Sequence, residues 1–172
     1  MDEVSLTSYT TWADLIGTWK TLDLPDKAWR AEIIDETVVV APPDDSTHGV
    51  IINLLHRYLV RATPGDWGVF QALAVQIPQE RCLFVPDIAV VPRAWLREAD
   101  YPAPARCLLL AVEVTSKRTA DVDRTTKPAR YALAGVPHFI LVDLFAEEGP
   151  MSYLHSAPSG RSYLVRRSVP LT

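Results

Sequence analysis

Cysteine is scarce in this chain. Cys82 and Cys107 are the two in 172 residues, and each stands alone in apolar surroundings, outside the close pairs that build redox or zinc motifs. Both therefore read as reduced, buried thiols in a fold that holds without disulfide staples. Long apolar runs are also lacking: no stretch approaches the roughly 18 residues needed to span a bilayer. The opening Met1-Asp2-Glu3-Val4 has neither the basic nor the apolar segment of a secretory signal. A cytoplasmic protein without membrane contact is the expectation. Positive charge is short as well, with 17 Lys and Arg against 21 Asp and Glu and a net charge of −4. That balance argues against a nonspecific nucleic-acid coat, so any such contact must rest on a local patch or on a metal. Repeats and low-complexity tracts are missing, and the Pro-rich points fall between expected elements rather than in a linker.

What is present is core material. Hydrophobic residues make up 48% of the chain and charged residues 22%, which suits one α/β domain over residues 1–172 that buries about 70% of the extended chain's surface. Trp12, Leu15, Ile16 and Trp19 recur at helical spacing within Ser8 to Trp19. Trp29 to Ile34 and Thr37 to Ala41 alternate as two strands around Asp35-Glu36, an opening hairpin. Ser46 offers an N-cap to a long helix whose Val50, Ile51, Leu54, Leu55, Tyr58 and Leu59 are expected to face the core. His48 lies in its first turn, and His56, farther along, reads as structural. Strands are expected near Trp67 to Ile77, Val85 to Val91, Cys107 to Val114 and His138 to Val142. Met151 to His155 and Ser162 to Arg166 would form a closing hairpin. A second long helix, Asp123 to Ala134, ends at Gly135 as a left-handed cap with Pro137 beyond. The order predicts an α/β fold, a sheet with helices on its faces and hairpins at both ends.

Two of the strand-like runs each carry one carboxylate: Asp87 in Pro86-Asp87-Ile88-Ala89-Val90-Val91, and Glu113 in Leu108 to Ser116. Desolvating a carboxylate costs several kcal/mol unless a metal, a hydrogen bond or a cation offsets it. A divalent cation shared by Asp87 and Glu113 is the sharper reading. The blander one has each acid ending its strand in solvent.

These residues carry a family resemblance. Pro86-Asp87, Glu113-Val114-Thr115-Ser116, Asp123, Lys127, Tyr131 to Pro137 and Leu141-Val142-Asp143 are similar to the Uma2 family, restriction-endonuclease domains of the PD-(D/E)XK superfamily. The spacings from Glu113 to Ser116, Asp123 and Lys127 coincide with that family's pattern. Ile34 to Val39 and His48 also resemble it, and the family-like core runs from about residue 29 to 143. The resemblance implies a restriction-endonuclease-like central mixed sheet flanked by helices, a divalent-metal site, and endonucleolytic hydrolysis of nucleic acid, DNA in the first place.

Mg²⁺ or Mn²⁺ would suit two carboxylate ligands, being hard ions that take oxygen and retain waters. The resemblance implies Asp87, Glu113 and the Val114 carbonyl as ligands, with Lys127 holding the water or the phosphate. Thr115 stands where the superfamily's usual lysine would be and cannot supply a cation. Lys127 matches the position on the following helix to which this family moves it, with Lys117 as a competing cation. Pro128 disfavours α conformation in the residue before it and so bears on how Lys127 is aimed. Taken alone, Asp123 and Lys127 also fit a surface ion pair worth at most about 1 kcal/mol. Ser116 suits a supporting contact rather than nucleophilic attack, because no Ser-His-acid arrangement surrounds it. Glu36 either joins the metal site or ends a turn, and Tyr131 either orients the lysine or packs. Lys117, Arg118, Arg124 and Arg130 would supply a local basic surface, unless they are merely solvated. Two alternatives stay open: a catalytically inactive nuclease fold that binds nucleic acid or protein, and a hydrolase of another phosphoester. Cleavage of two strands would favour a homodimer formed through the N-terminal helix or the terminal hairpin.

Overall fold

Alternation and turn chemistry set the first element pair in the computed structural model, which describes residues 11–95 and 101–171. Strands β1 (Arg30–Ile34) and β2 (Thr37–Ala41) pair antiparallel with Ile34 opposite Thr37, so Asp35 and Glu36 alone make the turn. Both adopt left-handed backbone, φ 45° and 68°, the geometry whose twist matches a two-residue hairpin. Before them, α1 (Trp12–Thr21) is capped by Thr11, whose side chain accepts the Asp14 N–H while the Asp14 carboxylate accepts the Thr11 N–H. Residues 8–10 of the expected helix lie outside the described residues.

The remaining elements are α2 (Ser46–Ala62), β3 (Trp67–Gln71), β4 (Val75–Ile77), β5 (Cys82–Phe84), β6 (Ile88–Pro92), β7 (Ala103–Pro104), β8 (Leu110–Val114), α3 (Ala120–Arg124), α4 (Thr126–Leu133), β9 (His138–Asp143), β10 (Met151–Ser159) and β11 (Ser162–Pro170). They form two mixed sheets, one ordered β2-β1-β5-β4-β7 and the other β11-β10-β9-β8-β6-β3. The parallel pairs are β4–β7 and β8–β9.

Three apolar clusters hold the layers together. Leu15 of α1 packs with Ile33, Val38 and Leu83 on the outer face of the five-stranded sheet. Ile52 of α2 packs with Ile88, Val90, Leu110, Val112 and Val142 on one face of the six-stranded sheet. The third cluster joins Val75 and Phe84 of the first sheet to Ala89, Ala111 and Phe139 of the second, with Tyr131 of α4 among them. This arrangement is a mixed α/β fold flanked by helices.

Several boundaries differ from expectation, each for a local reason. The run from Trp67 to Ile77 splits at Ala72, φ 52°, and sends β3 and β4 to different sheets. Pro86 contributes no ladder donor, so the strand expected over Val85 to Val91 begins only at Ile88 as β6, and the preceding Cys82–Phe84 forms a separate strand, β5. The long second helix breaks at Thr125 into α3 and α4, because the Pro128 ring crowds the carbonyl four residues earlier. Gly135, φ 77°, does end α4. Asp45, not Ser46, caps α2, accepting the His48 N–H at 3.0 Å. That helix is also rotated from the expected face. His48, Ile51, Ile52, Leu55 and Leu59 turn inward, while Val50, Leu54 and Tyr58 are exposed, Tyr58 by 70%. Apolar residues occupy most of its circumference, so spacing alone does not select a face.

Candidate active site

Sheet register brings the two strand acids together. β6 and β8 pair antiparallel with Ile88 opposite Val112 and Ala89 opposite Ala111, and the next step along that register sets Asp87 opposite Glu113. Directly opposed residues share a face. Since Ile88 and Val112 face α2, Asp87 and Glu113 point the other way, toward α4 and the five-stranded sheet. Each is 2% exposed.

Asp87 is held on both oxygens. Its Oδ2 accepts the Val114 N–H at 2.8 Å and lies 3.3 Å from His48 Nε2, while Arg30 Nη1 donates to Oδ1 at 2.6 Å. Burial alone would raise its pKa, but His48, Arg30 and the Val114 N–H together hold it below the usual carboxylate range. Burial likewise works to lower the His48 pKa, and Asp87, Asp44 and the Val114 carbonyl, 3.0 Å from Nε2, outweigh it and raise it.

Glu113 meets Lys127 Nζ at 3.0 Å through Oε2 and accepts the Tyr131 hydroxyl at 3.0 Å through Oε1. The same ammonium lies 3.0 Å from Asp123 and 3.4 Å from Glu32, whose Oε1 also accepts the Val85 N–H at 2.7 Å. Burial opposes the charge on Lys127, yet three surrounding carboxylates raise its pKa well above the ordinary value. Glu113 moves the same way: burial, with Asp123, Asp87 and Glu32 nearby, outweighs Lys127 and pushes its carboxyl well up. The charge count explains the Lys127 shift and adds to burial in raising Glu113. Four acids, Asp87, Glu113, Asp123 and Glu32, face two fixed cations, Lys127 and Arg30, with His48 as a third only when protonated. With every acid ionised the cluster is negative, and it relieves that charge by protonation or by taking up a cation.

The acids open onto a cavity of about 530 Å³. Leu22, Leu24, Trp29, Val38 and Val40 form its apolar side, and Arg118 lies on its wall.

The other residues singled out in the sequence are spread around this centre. Asp123, Lys127, His48, Val114 and Tyr131 belong to it. Glu36 does not: it sits in the β1–β2 turn, 55% exposed and 3.3 Å from Arg81. Thr115 is buried beside it but engaged elsewhere, accepting the Leu144 N–H at 2.9 Å. Ser116 closes a turn with Thr119. Lys117 is exposed. Of the arginines, Arg118 meets Asp44 at 2.8 Å, Arg124 grips Asp143 through two bonds of 2.7 and 2.8 Å, and Arg130 pairs with Asp35 and Glu80 across the fold. Three of the four expected basic residues are thus spent on local acids.

Arg30 and Glu32 are the two members the motifs do not reveal. One signal for them exists: in Arg30-Ala31-Glu32-Ile33, Ala31 and Ile33 are buried, so period two places both charges on the opposite face of β1.

Among the described residues no group of three or more His, Cys, Asp or Glu is arranged as a ready metal cage. The donor chemistry nonetheless fits a hard divalent ion, because two facing carboxylates, the adjacent Val114 carbonyl and a surplus of negative charge are what Mg²⁺ or Mn²⁺ selects.

The model of the Uma2 family, described as "Putative restriction endonuclease", matches residues 20–167. A solved structure titled as a putative nuclease belonging to DUF820 from Anabaena variabilis ATCC 29413 superposes with a TM-score of 0.67. It covers 95% of this chain and 90% of its own, at 15% identity, and so attests the fold. No curated protein matches the chain in sequence.

Proposed function

This chain belongs to the Uma2 family, and from that premise we propose that it is a metal-dependent endonuclease hydrolysing phosphodiester bonds of DNA at the Asp87–Glu113 centre. The observation that carries the reading is the cluster of four acids, three of them buried, around two fixed cations, opening onto a cavity.

Asp87, Glu113 and the Val114 carbonyl would hold Mg²⁺ or Mn²⁺. Such an ion, when bound, supplies Lewis acidity that makes a water a better nucleophile and offsets charge on the phosphate. The remaining work belongs to the chain. His48 bridges Asp87 and the Val114 carbonyl and fixes both. Tyr131 fixes Glu113 from the other side. Lys127 keeps its proton because three carboxylates surround it, so its role is that of a charged hydrogen-bond donor to the phosphate or the attacking water, not of a base. Its 3.0 Å approach to Glu113 supports this assignment, as does the engagement of Thr115 with Leu144. Cutting both strands of a duplex would bring two copies together, and β11, with Leu164 and Val169 exposed at the sheet edge, is the surface such a dimer would use.

A second reading, a nuclease fold without turnover that binds nucleic acid or protein, draws on the fact that both Asp87 oxygens already have protein partners. An assay separates the two. Supercoiled DNA, linear DNA and RNA are incubated with Mg²⁺, Mn²⁺ or EDTA and the wild type, Asp87→Asn, Glu113→Gln or Lys127→Met. The nuclease reading expects cleavage that needs the metal and falls to background in all three variants. Cleavage that persists in Asp87→Asn and Glu113→Gln would overturn it.

A further inference from the structure

Arg30 begins β1, two residues before Glu32, and alternation turns both toward the acids. Its Nη1 lies 2.6 Å from Oδ1 of Asp87, its side chain remains 34% exposed, and it lines the cavity. The second Asp87 oxygen is taken from within, by the Val114 N–H at 2.8 Å and His48 at 3.3 Å. Oδ1 is therefore the oxygen whose partner can leave toward the cavity.

A guanidinium keeps its charge at every accessible pH. It cannot share one carboxylate oxygen with a divalent ion without like-charge repulsion at contact distance. Lys127 is the other fixed cation, but its side chain is 4% exposed and three carboxylates hold it. Arg30 is bonded to Asp87, with Glu113 and Glu32 acting on it from farther off, and it has a long stem and open space beside it.

Resting on the metal site proposed above, we infer that Arg30 is a resident counter-ion that competes with the divalent cation for Asp87. Metal entry requires Arg30 to withdraw, and this exchange sets the affinity of the site. Once released, the guanidinium stays on the cavity wall, where its forked donors suit a phosphate.

Calorimetric titration with Mn²⁺ tests this on the wild type, Arg30→Gln, Arg30→Lys and Asp87→Ala. Arg93→Gln, which removes one positive charge far from the acids, serves as control. Removing the competitor is expected to tighten Mn²⁺ binding by about tenfold, the factor set by one modest ion pair. Arg30→Lys should stay close to the wild type, and Arg93→Gln should match it. If Arg30→Gln binds Mn²⁺ no tighter than the wild type while Asp87→Ala loses it, the role of Arg30 is overturned and the metal site stands. If no protein binds Mn²⁺, both fall. Circular dichroism confirms that Arg30→Gln is folded. Should it not be, ¹⁵N-arginine spectra of the wild type give the same answer. Addition of Mg²⁺ is expected to free the Arg30 guanidinium to rotate, and a guanidinium unchanged at Mg²⁺ saturation would overturn the exchange.

Discussion

At the scale of single residues, the site is governed by one excess of negative charge. Burial and the neighbouring acids raise the Glu113 pKa, so below that raised value a proton competes with any metal for its carboxylate. The sign follows directly: metal affinity is expected to rise with pH through the elevated Glu113 pKa and then level off, with protons released on binding. Titration calorimetry in buffers of different ionisation enthalpy measures that release, and Glu113→Gln should abolish it. Lys127→Met removes the ammonium from among three carboxylates. Leaving buried acids uncompensated costs about 3–5 kcal/mol, so a large drop in urea midpoint is expected, with Mn²⁺ restoring part of it. Asp87 and Glu113 can be read from the sequence as a pair because carboxylates inside apolar strands need partners, whereas Asp123 and Lys127 join them there only through the family resemblance. Arg30 and Glu32 cannot be read in this way. Their partners are distant in sequence, Asp87 for Arg30 and Lys127 with the Val85 N–H for Glu32, and a charged pair on a short hairpin strand looks like a solvated face until β1 is docked beside β5.

At the scale of elements, two tests separate packing from chemistry. Leu15, fully buried, is the anchor of α1 on the five-stranded sheet. Leu15→Ala is expected to cost about 2–5 kcal/mol in chemical denaturation. Asp143, at the end of β9, is tied to α3 by two Arg124 bonds that lower its pKa, against burial, which would raise it. A carboxylate with a depressed folded pKa stabilises above its unfolded pKa, and that contribution disappears as pH falls through the folded value. Wild type should therefore lose stability on acidification below about pH 4, where Asp143 begins to protonate in the unfolded chain. Asp143→Asn should be less stable at pH 7, by about 1–2 kcal/mol since Arg124 is partly exposed, and should show a shallower acid limb. The opening hairpin, α2, β9 and the Gly135 stop are legible because periodicity and turn chemistry act locally. The division of residues 67–77 between two sheets is not: it depends on which sheet each half meets, and Ala72 announces no turn.

At the scale of the whole molecule, two mixed sheets place one face of β6 and β8 against α2 and offer the other to the space shared with α4 and β1. Both faces bury apolar residues, and the charged cluster gathers on the α4 side, where Asp87 and Glu113 lie next to Ala89 and Ala111. The acidic surplus of the chain and the pairing of Arg118, Arg124 and Arg130 with carboxylates reduce the unpaired basic charge on and around α3 and α4. Nucleic-acid affinity is accordingly expected to depend on the divalent ion more than on protein charge. Filter binding to a non-cleaved phosphorothioate oligonucleotide should weaken strongly when EDTA replaces Mn²⁺.

The most direct measurement is anomalous diffraction from crystals soaked in Mn²⁺. A divalent-metal nuclease centre requires a peak between the Asp87 and Glu113 carboxylates near the Val114 carbonyl, with Lys127 still beside Glu113. A crystal that takes up Mn²⁺ elsewhere, or none at saturating concentration while Arg30 keeps its bond to Asp87, would contradict it.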